Sequence, residues 1–179
     1  MAAAVALLEL PQHCDWGAKQ DTDGNVYRWR GYKAHLSWAD GMIPLLCVTT
    51  SASVHDSQVV IPMLKQVAKS VVSFYDLMDS AYDAPAIRQV SHELGHVSLI
   101  DQNPRGGEKV PFSPCEAVRF RERSKAERGN SRLKDSFGLR FVRVRGGAKV
   151  HLHTMFGVVA LFADQIRKPS PAEIREQQQ

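Results

Sequence analysis

The stretch Tyr32-Lys-Ala-His-Leu-Ser-Trp38, followed by Asp40-Gly41 and the apolar run Met42–Val48, decides the fold class of this chain. Its first part alternates large apolar or aromatic side chains with polar ones, which is the period of a strand with one buried face. Asp-Gly is a strong turn signal, so the segments on either side of it are predicted to form a β-hairpin. An antiparallel pair of strands is therefore expected early in the domain.

After the hairpin, the sequence predicts helices that alternate with short apolar strands. The first helix ends near Ser70 and has Asp56 or Ser57 as its cap. A strand over Val71–Met78, a helix between Asp83 and Gly95, and a strand over His96–Ile100 follow in that order. Strands joined through helices usually pair in parallel. The predicted fold class is therefore α/β, with a mixed sheet and helices on both of its faces.

The last third of the chain is predicted to be helical around a basic centre. The glycines and prolines of residues 101–115 predict a loop. A basic helix is expected from Val118 to Ser136, stopped by Gly138, and a basic extended segment over Leu139–Arg145. An apolar helix over Ala148–Ile166 follows.

Composition limits the class of protein. With 179 residues and 44% hydrophobic residues, the chain can bury one core, so a single domain is expected. The apolar run Met155–Ala163 is too short to span a bilayer. The three cysteines are widely spaced and odd in number, which predicts no disulfide framework and no zinc motif. A reducing cytoplasm fits this pattern.

Positive charge is concentrated in one part of the chain. The formal net charge is +4, but residues 102–150 carry 13 lysines and arginines against five acidic residues. Residues 1–101 carry seven lysines and arginines against 11 acidic residues. A basic block of this density indicates a polyanionic partner, with nucleic acid as the first candidate. A basic solubility face is the alternative.

The basic block contains Arg123, Glu127 and Lys134 at the spacing R-x3-E-x6-K. On a helix of 3.6 residues per turn they fall within an arc of roughly 40°. One carboxylate is then flanked by two cations that could grip phosphates, with Phe120 and Asn130 at the edges of the stripe. The alternative is a solvated helix with ordinary charge pairs.

Asp79 follows a predicted strand directly. A carboxylate at a strand end, beside a helix that bears Glu127, could converge with it on one Mg²⁺, which prefers oxygen ligands. Two such ions about 4 Å apart can activate a water or a 3′-hydroxyl group. The alternative role of Asp79 is a helix cap. The rival carboxylates are Asp76, Asp83 and Asp101.

Other candidate ligands are weaker. His55-Asp56 could bind a metal ion, but the start of a helix is the favoured reading. His13-Cys14-Asp15 lacks a second pair of ligands. His151 and His153 stand two residues apart on a helix, so their rings face different sides. The three tryptophans, Trp16, Trp29 and Trp38, could stack on bases, but packing in the core is their more common role.

Five blocks of this sequence resemble a known family. They are Gly31–Leu36, Thr50–Ser57, Tyr75–Asp83, Arg119–Lys134 and Val142–Val150. In this order they resemble the catalytic region of bacterial insertion-sequence transposases of the Asp-Asp-Glu (DDE) type. The resemblance covers residues 14–167, the expected catalytic domain. It leaves 1–13 as a non-family segment and 168–179 as a polar tail that is predicted to be disordered.

The resemblance implies a ribonuclease-H-like fold and DNA strand cleavage and joining that depend on Mg²⁺, with Mn²⁺ as a substitute. Asp79 matches the second catalytic Asp and Glu127 matches the Glu, so both are expected to bind the metal. The expected DNA-binding residues are Arg123, Arg128, Asn130, Arg132 and Lys134. The tyrosine of the family's helix motif is replaced by Phe120, which keeps the ring and loses the hydroxyl group.

The family's first catalytic Asp belongs on a strand that precedes the segment beginning near Cys14. Residues 1–13 contain no Asp, and Asp15 is the nearest candidate. The chain is therefore interpreted as the C-terminal part of a catalytic domain that lacks its first strand.

DNA transposition is the function that the resemblance implies. The alternatives are a DNA-binding remnant without activity and a hydrolytic nuclease of the same fold. The expected partners are transposon ends and target DNA, without a membrane, and the oligomeric state stays open, with a homodimer as one candidate. The expected location is the bacterial cytoplasm, in association with the nucleoid.

Overall fold

The computed structural model describes residues 2–21, 23–104, 108 and 110–167. The predicted disordered tail, residues 168–179, lies outside the described residues. None of the helices in these ranges is both long enough and apolar enough to cross a membrane.

The early part of the domain is a three-stranded antiparallel sheet. It contains β1 (Asp15–Gln20), β2 (Val26–Ala39) and β3 (Ile43–Ser51), with β2 in the centre. The first half of β2 pairs with β1 and its second half pairs with β3. The predicted hairpin is confirmed, and Gly41 supplies the positive φ of 76° that its turn requires.

The second sheet consists of two parallel strands, β4 (Tyr75–Met78) and β5 (Val97–Ile100). β4 is shorter than predicted and begins only at Tyr75. Of 71–74, Phe74 accepts one hydrogen bond from the Val97 N–H at 2.8 Å, and the Val72 and Phe74 side chains are largely exposed. The predicted α/β class is confirmed. Its antiparallel and parallel strands lie in two sheets that share no hydrogen-bonded strand within the described ranges.

Helices cover both faces of the antiparallel sheet. On one face, Val48 of β3 packs in a core with α1 (Ala2–Leu8) and α2 (Asp56–Val67). On the other face, the neighbouring Cys47 packs against α5 (Arg123–Ser136) and α6 (Gly147–Arg167), because successive strand residues point to opposite sides. The prediction of helices on both faces is confirmed. A third core joins β4 and β5 to α3 (Pro85–Glu93).

Two local predictions were wrong. His55, and not Asp56 or Ser57, is the N-cap of α2: its Nδ1 accepts a hydrogen bond from the Ser57 N–H at 3.3 Å. His55 has the extended backbone that a cap position needs, and its ring nitrogen replaces the usual side-chain oxygen. The basic helix is also not continuous, because α4 (Pro114–Phe120) ends before α5 begins.

Candidate active site

Asp79 lies immediately after β4, as predicted. Its Oδ1 accepts a hydrogen bond from the Ala81 N–H at 3.1 Å and so caps a short 3₁₀ turn, Ser80–Tyr82. Its Oδ2 lies 4.0 Å from Nη1 of Arg123. Asp79 therefore caps the turn with one carboxylate oxygen and faces Arg123 with the other.

Glu127 reaches the same guanidinium group from α5. Its Oε1 lies 3.0 Å from Nη2 of Arg123, one helical turn earlier. Asp79 and Glu127 line one cleft of about 1110 Å³, and the Arg123 guanidinium lies within reach of both carboxylates. The structure thus brings the two predicted carboxylates to a single cation, across the gap between a strand end and a helix.

A glycine sets the distance between α5 and β2. A Cβ atom at Gly129 would lie 2.8 Å from the ring of Trp38, which leaves no room for a larger residue. The next residue, Asn130, accepts a hydrogen bond from the indole N–H of Trp38 at 3.2 Å. These contacts hold α5, the helix that carries Glu127, against β2. Sequence reasoning missed Gly129, although a glycine inside a helix is itself a signal of close packing.

We expect Gly129→Ala to destabilise the fold, because the added methyl group must displace the Trp38 ring or the helix. Overpacking of this kind costs about 1–3 kcal/mol. Chemical denaturation of the variant measures the loss. Ser131→Ala, on the exposed side of the same helix, is the matched control and should change stability little. Equal stability of Gly129→Ala and the parent chain would show that α5 is not held by this contact.

Phe120 packs at the start of the motif without a hydroxyl group. Its ring centroid lies 4.8 Å from that of Phe112, and the Arg123 guanidinium lies 5.5 Å from its ring centroid. The ring therefore helps to hold Arg123 beside the cleft.

The remaining predicted DNA-binding residues have different environments. Lys134 is exposed and lines the cleft. Arg128 is exposed, outside the residues that line the cleft. Arg132 lies 2.5 Å from Asp164 of α6, and its guanidinium lies over the Phe137 ring. Arg132 therefore joins two helices, and the structure does not place it with Arg123.

The rival carboxylates have structural partners. Asp76 is buried in β4, where it accepts a hydrogen bond from Ser91 at 2.5 Å and lies 3.0 Å from Nδ1 of His96. Asp83 binds Arg88 at 2.8 Å and the backbone N–H of Asn103. Asp101 follows β5, and its backbone N–H donates to the Met78 carbonyl. Of these three, only Asp76 lines the cleft, and its carboxylate is already engaged.

The cleft carries a further charged group, Asp56, that sequence reasoning did not assign there. Asp56 lies 3.6 Å from Nζ of Lys33 and 3.4 Å from Nδ1 of His35. Burial lowers the pKa of His35, and the neighbouring Asp56 partly opposes this shift. Burial, with smaller contributions from Asp56 and Asp79, raises the pKa of Tyr82. Both aspartates therefore act on the same tyrosine.

The donor set for a cation consists of two carboxylates. In the described part of the chain, no group of three or more histidine, cysteine, aspartate or glutamate side chains lies close enough to hold a metal ion. Asp15 stands at the first residue of β1, outside the residues that line the cleft. His151 and His153 bind different partners, Thr49 and the Gly138 carbonyl.

Comparison with known proteins gives one match. A family model described as a transposase DDE domain matches residues 7–163. Comparison with curated proteins and comparison with solved structures gave no match.

Proposed function

Since this chain belongs to the transposase DDE domain family, we propose that it acts in DNA transposition, and that its site cleaves DNA strands and joins them to a target once a further carboxylate is supplied. Its antiparallel and parallel sheets with flanking helices are consistent with the ribonuclease-H-like fold of such domains. The observation that carries the proposal is the convergence of Asp79 and Glu127 on Arg123. Together they place two carboxylates and a cation where a phosphodiester could bind.

DDE transposases generally use divalent metal ions. The two converging carboxylates fit such an ion because they are hard oxygen donors that already share one positive charge. We propose that Asp79 and Glu127 hold Mg²⁺, for which Mn²⁺ can substitute. A bound ion would polarise a phosphoryl oxygen and activate a water or a 3′-hydroxyl group. Arg123 would then be released to bind a phosphate.

The proposed activity needs one more carboxylate, and the cleft has space for the strand that would bring it. Residues 32–39 of β2 pair only with β3, and β4 pairs only with β5, within the described residues. Each therefore keeps one unpaired edge, and both line the 1110 Å³ cleft. An extended segment between them would join the two sheets into one and place an Asp near Asp79.

Arg123 and Lys134 are expected to bind phosphates without regard to sequence. Each phosphate contact contributes about one unit to the slope of log affinity against log salt concentration. Arg123→Gln with Lys134→Gln should therefore reduce the slope by about two. Fluorescence anisotropy of a labelled duplex at several salt concentrations measures it.

The matched control removes two exposed lysines on or next to α2, Lys65 and Lys69, by the same replacement with Gln. Its salt slope should stay close to that of the parent chain. If both double variants give the parent slope, α5 does not hold the DNA.

Two alternatives retain the same site. A DNA-binding remnant would bind duplex with the same salt slope but would neither nick nor join it in Mg²⁺. A hydrolytic nuclease would nick but would not join. With the further carboxylate supplied, strand transfer of a pre-cleaved element end into a supercoiled plasmid separates a transposase from the other two, since only a transposase forms the joined product. Nicking without joining identifies the nuclease.

A further inference from the structure

A second depression is lined in part by Lys134, which also lines the cleft. Its volume is about 550 Å³, within the range of small-molecule sites. The residues that line it are Lys134, Asp135, Gly138, Arg140, Phe141, Arg143, Val144 and His153. Lys134 lines both depressions, so a phosphate bound there would lie next to this second site as well as to the cleft.

Phe141 presents an aromatic ring at this second site. Its side chain is 77% exposed, although an apolar ring of this size is usually buried. It belongs to the basic segment Leu139–Arg145, which connects α5 and α6 and forms no strand. An exposed ring in a basic connection is the arrangement on which unpaired bases stack.

Cations surround the ring. Arg143 and Arg145 are exposed, and neither forms an ion pair with an acidic residue of the described ranges. Arg140 is instead held by Asp135, with Nε 2.9 Å from the carboxylate. Arg143, which lines the second site together with Phe141, is therefore available for a phosphate.

The connection is anchored at its start. The backbone N–H groups of Leu139 and Arg140 donate to the Leu133 and Lys134 carbonyls, at 3.1 and 3.2 Å. His153 of α6 lies 3.0 Å from the Gly138 carbonyl. The second site is therefore formed in the absence of a ligand, which reduces the cost of ordering it on binding.

We propose that this second site binds an unpaired nucleotide of the DNA strand whose phosphate lies at Lys134, with the base stacked on Phe141 and the next phosphate at Arg143. This inference rests on the proposed function. A paired base in a duplex has both faces covered by its neighbours, so a single ring can stack only on a base that has left the stack. The site thus selects unpaired, single-stranded segments over paired duplex.

The test compares a single-stranded oligothymidylate with a blunt duplex of equal length. Phe141→Ala should weaken binding of the oligothymidylate by roughly 5- to 150-fold, the equivalent of about 1–3 kcal/mol. Duplex binding should not change. Phe141→Trp should restore the affinity, and its additional fluorescence over the parent chain should be quenched by the oligonucleotide.

Phe156→Ala is the matched control, because Phe156 is an exposed phenylalanine of α6 that does not line the second site. It should leave both affinities unchanged. The proposal would be overturned if Phe141→Ala and Phe156→Ala lowered the affinity for the oligothymidylate equally, or if neither lowered it. Strand transfer of a pre-cleaved element end reports separately on the proposed function, so the two can fail independently.

Discussion

Supercoiled plasmid that carries the element ends should stay uncut by this chain in Mg²⁺. The same plasmid should be nicked by a fusion protein in which an extended segment containing an Asp precedes residue 2 through a flexible linker. The fused segment can pair with the unpaired edges of β2 and β4 and bring a third carboxylate to Asp79 and Glu127. In the fused protein, Glu127→Gln should reduce nicking by roughly 10³-fold, since it removes charge from the reacting centre. The fold should be retained, because Glu127 is exposed.

Two controls accompany this experiment. The same fusion with Asn in place of its Asp should remain inactive, and Glu93→Gln, an exposed carboxylate of α3 outside the cleft, should leave nicking unchanged. If the unmodified chain cuts the plasmid and Asp15→Asn abolishes the cut, Asp15 is the third ligand. That result would contradict both its position outside the cleft and the proposed need for a further strand.

A large loss of stability is expected from Asp76→Ala. Its carboxylate is 8% exposed and binds both Ser91 and His96, so the replacement leaves two buried polar groups without their partner. Each buried polar group left without a hydrogen-bond partner costs about 1–3 kcal/mol. Urea denaturation followed by circular dichroism measures the change in the free energy of unfolding.

Asp76→Asn keeps an acceptor for the Ser91 hydroxyl group and should lose less stability than Asp76→Ala. The matched control is Asp135→Ala, which breaks an exposed pair with Arg140 and should cost about 0–1 kcal/mol. A cost for Asp76→Ala no larger than that of Asp135→Ala would show that the buried cluster contributes nothing to holding α3 on β4.

Much of the fold could be predicted because local rules decide it. The alternation of apolar and polar residues and the Asp-Gly turn specify the hairpin. Gly95 and Gly138 end their helices with positive φ values of 78° and 80°. The position of Asp79 at a strand end and the shared face of Arg123 and Glu127 follow from strand length and helical period alone. Their distance from each other depends on how the elements pack. Both carboxylates lie beside the Arg123 guanidinium, and a shared metal ion stays a prediction.

What the sequence could not predict depends on contacts between distant residues. Arg132 has the same local pattern as the other cations of its helix, and only the position of Asp164 in α6 decides its partner. The apolar residues at 71–74 suggest a strand, yet a strand also requires a neighbour. Gly129 becomes informative only when Trp38, far away in sequence, is known to lie against it.

The unpaired edges of β2 and β4 also bear on how this chain behaves in concentrated solution. Exposed backbone N–H and C=O groups along a strand can pair with any extended chain, including another copy of the same protein. At high concentration we therefore expect edge-to-edge self-association, which would mimic a dimer in light scattering and grow into aggregates on storage. A fusion that fills the cleft would suppress it, so solubility becomes a readout of strand insertion that requires neither DNA nor metal.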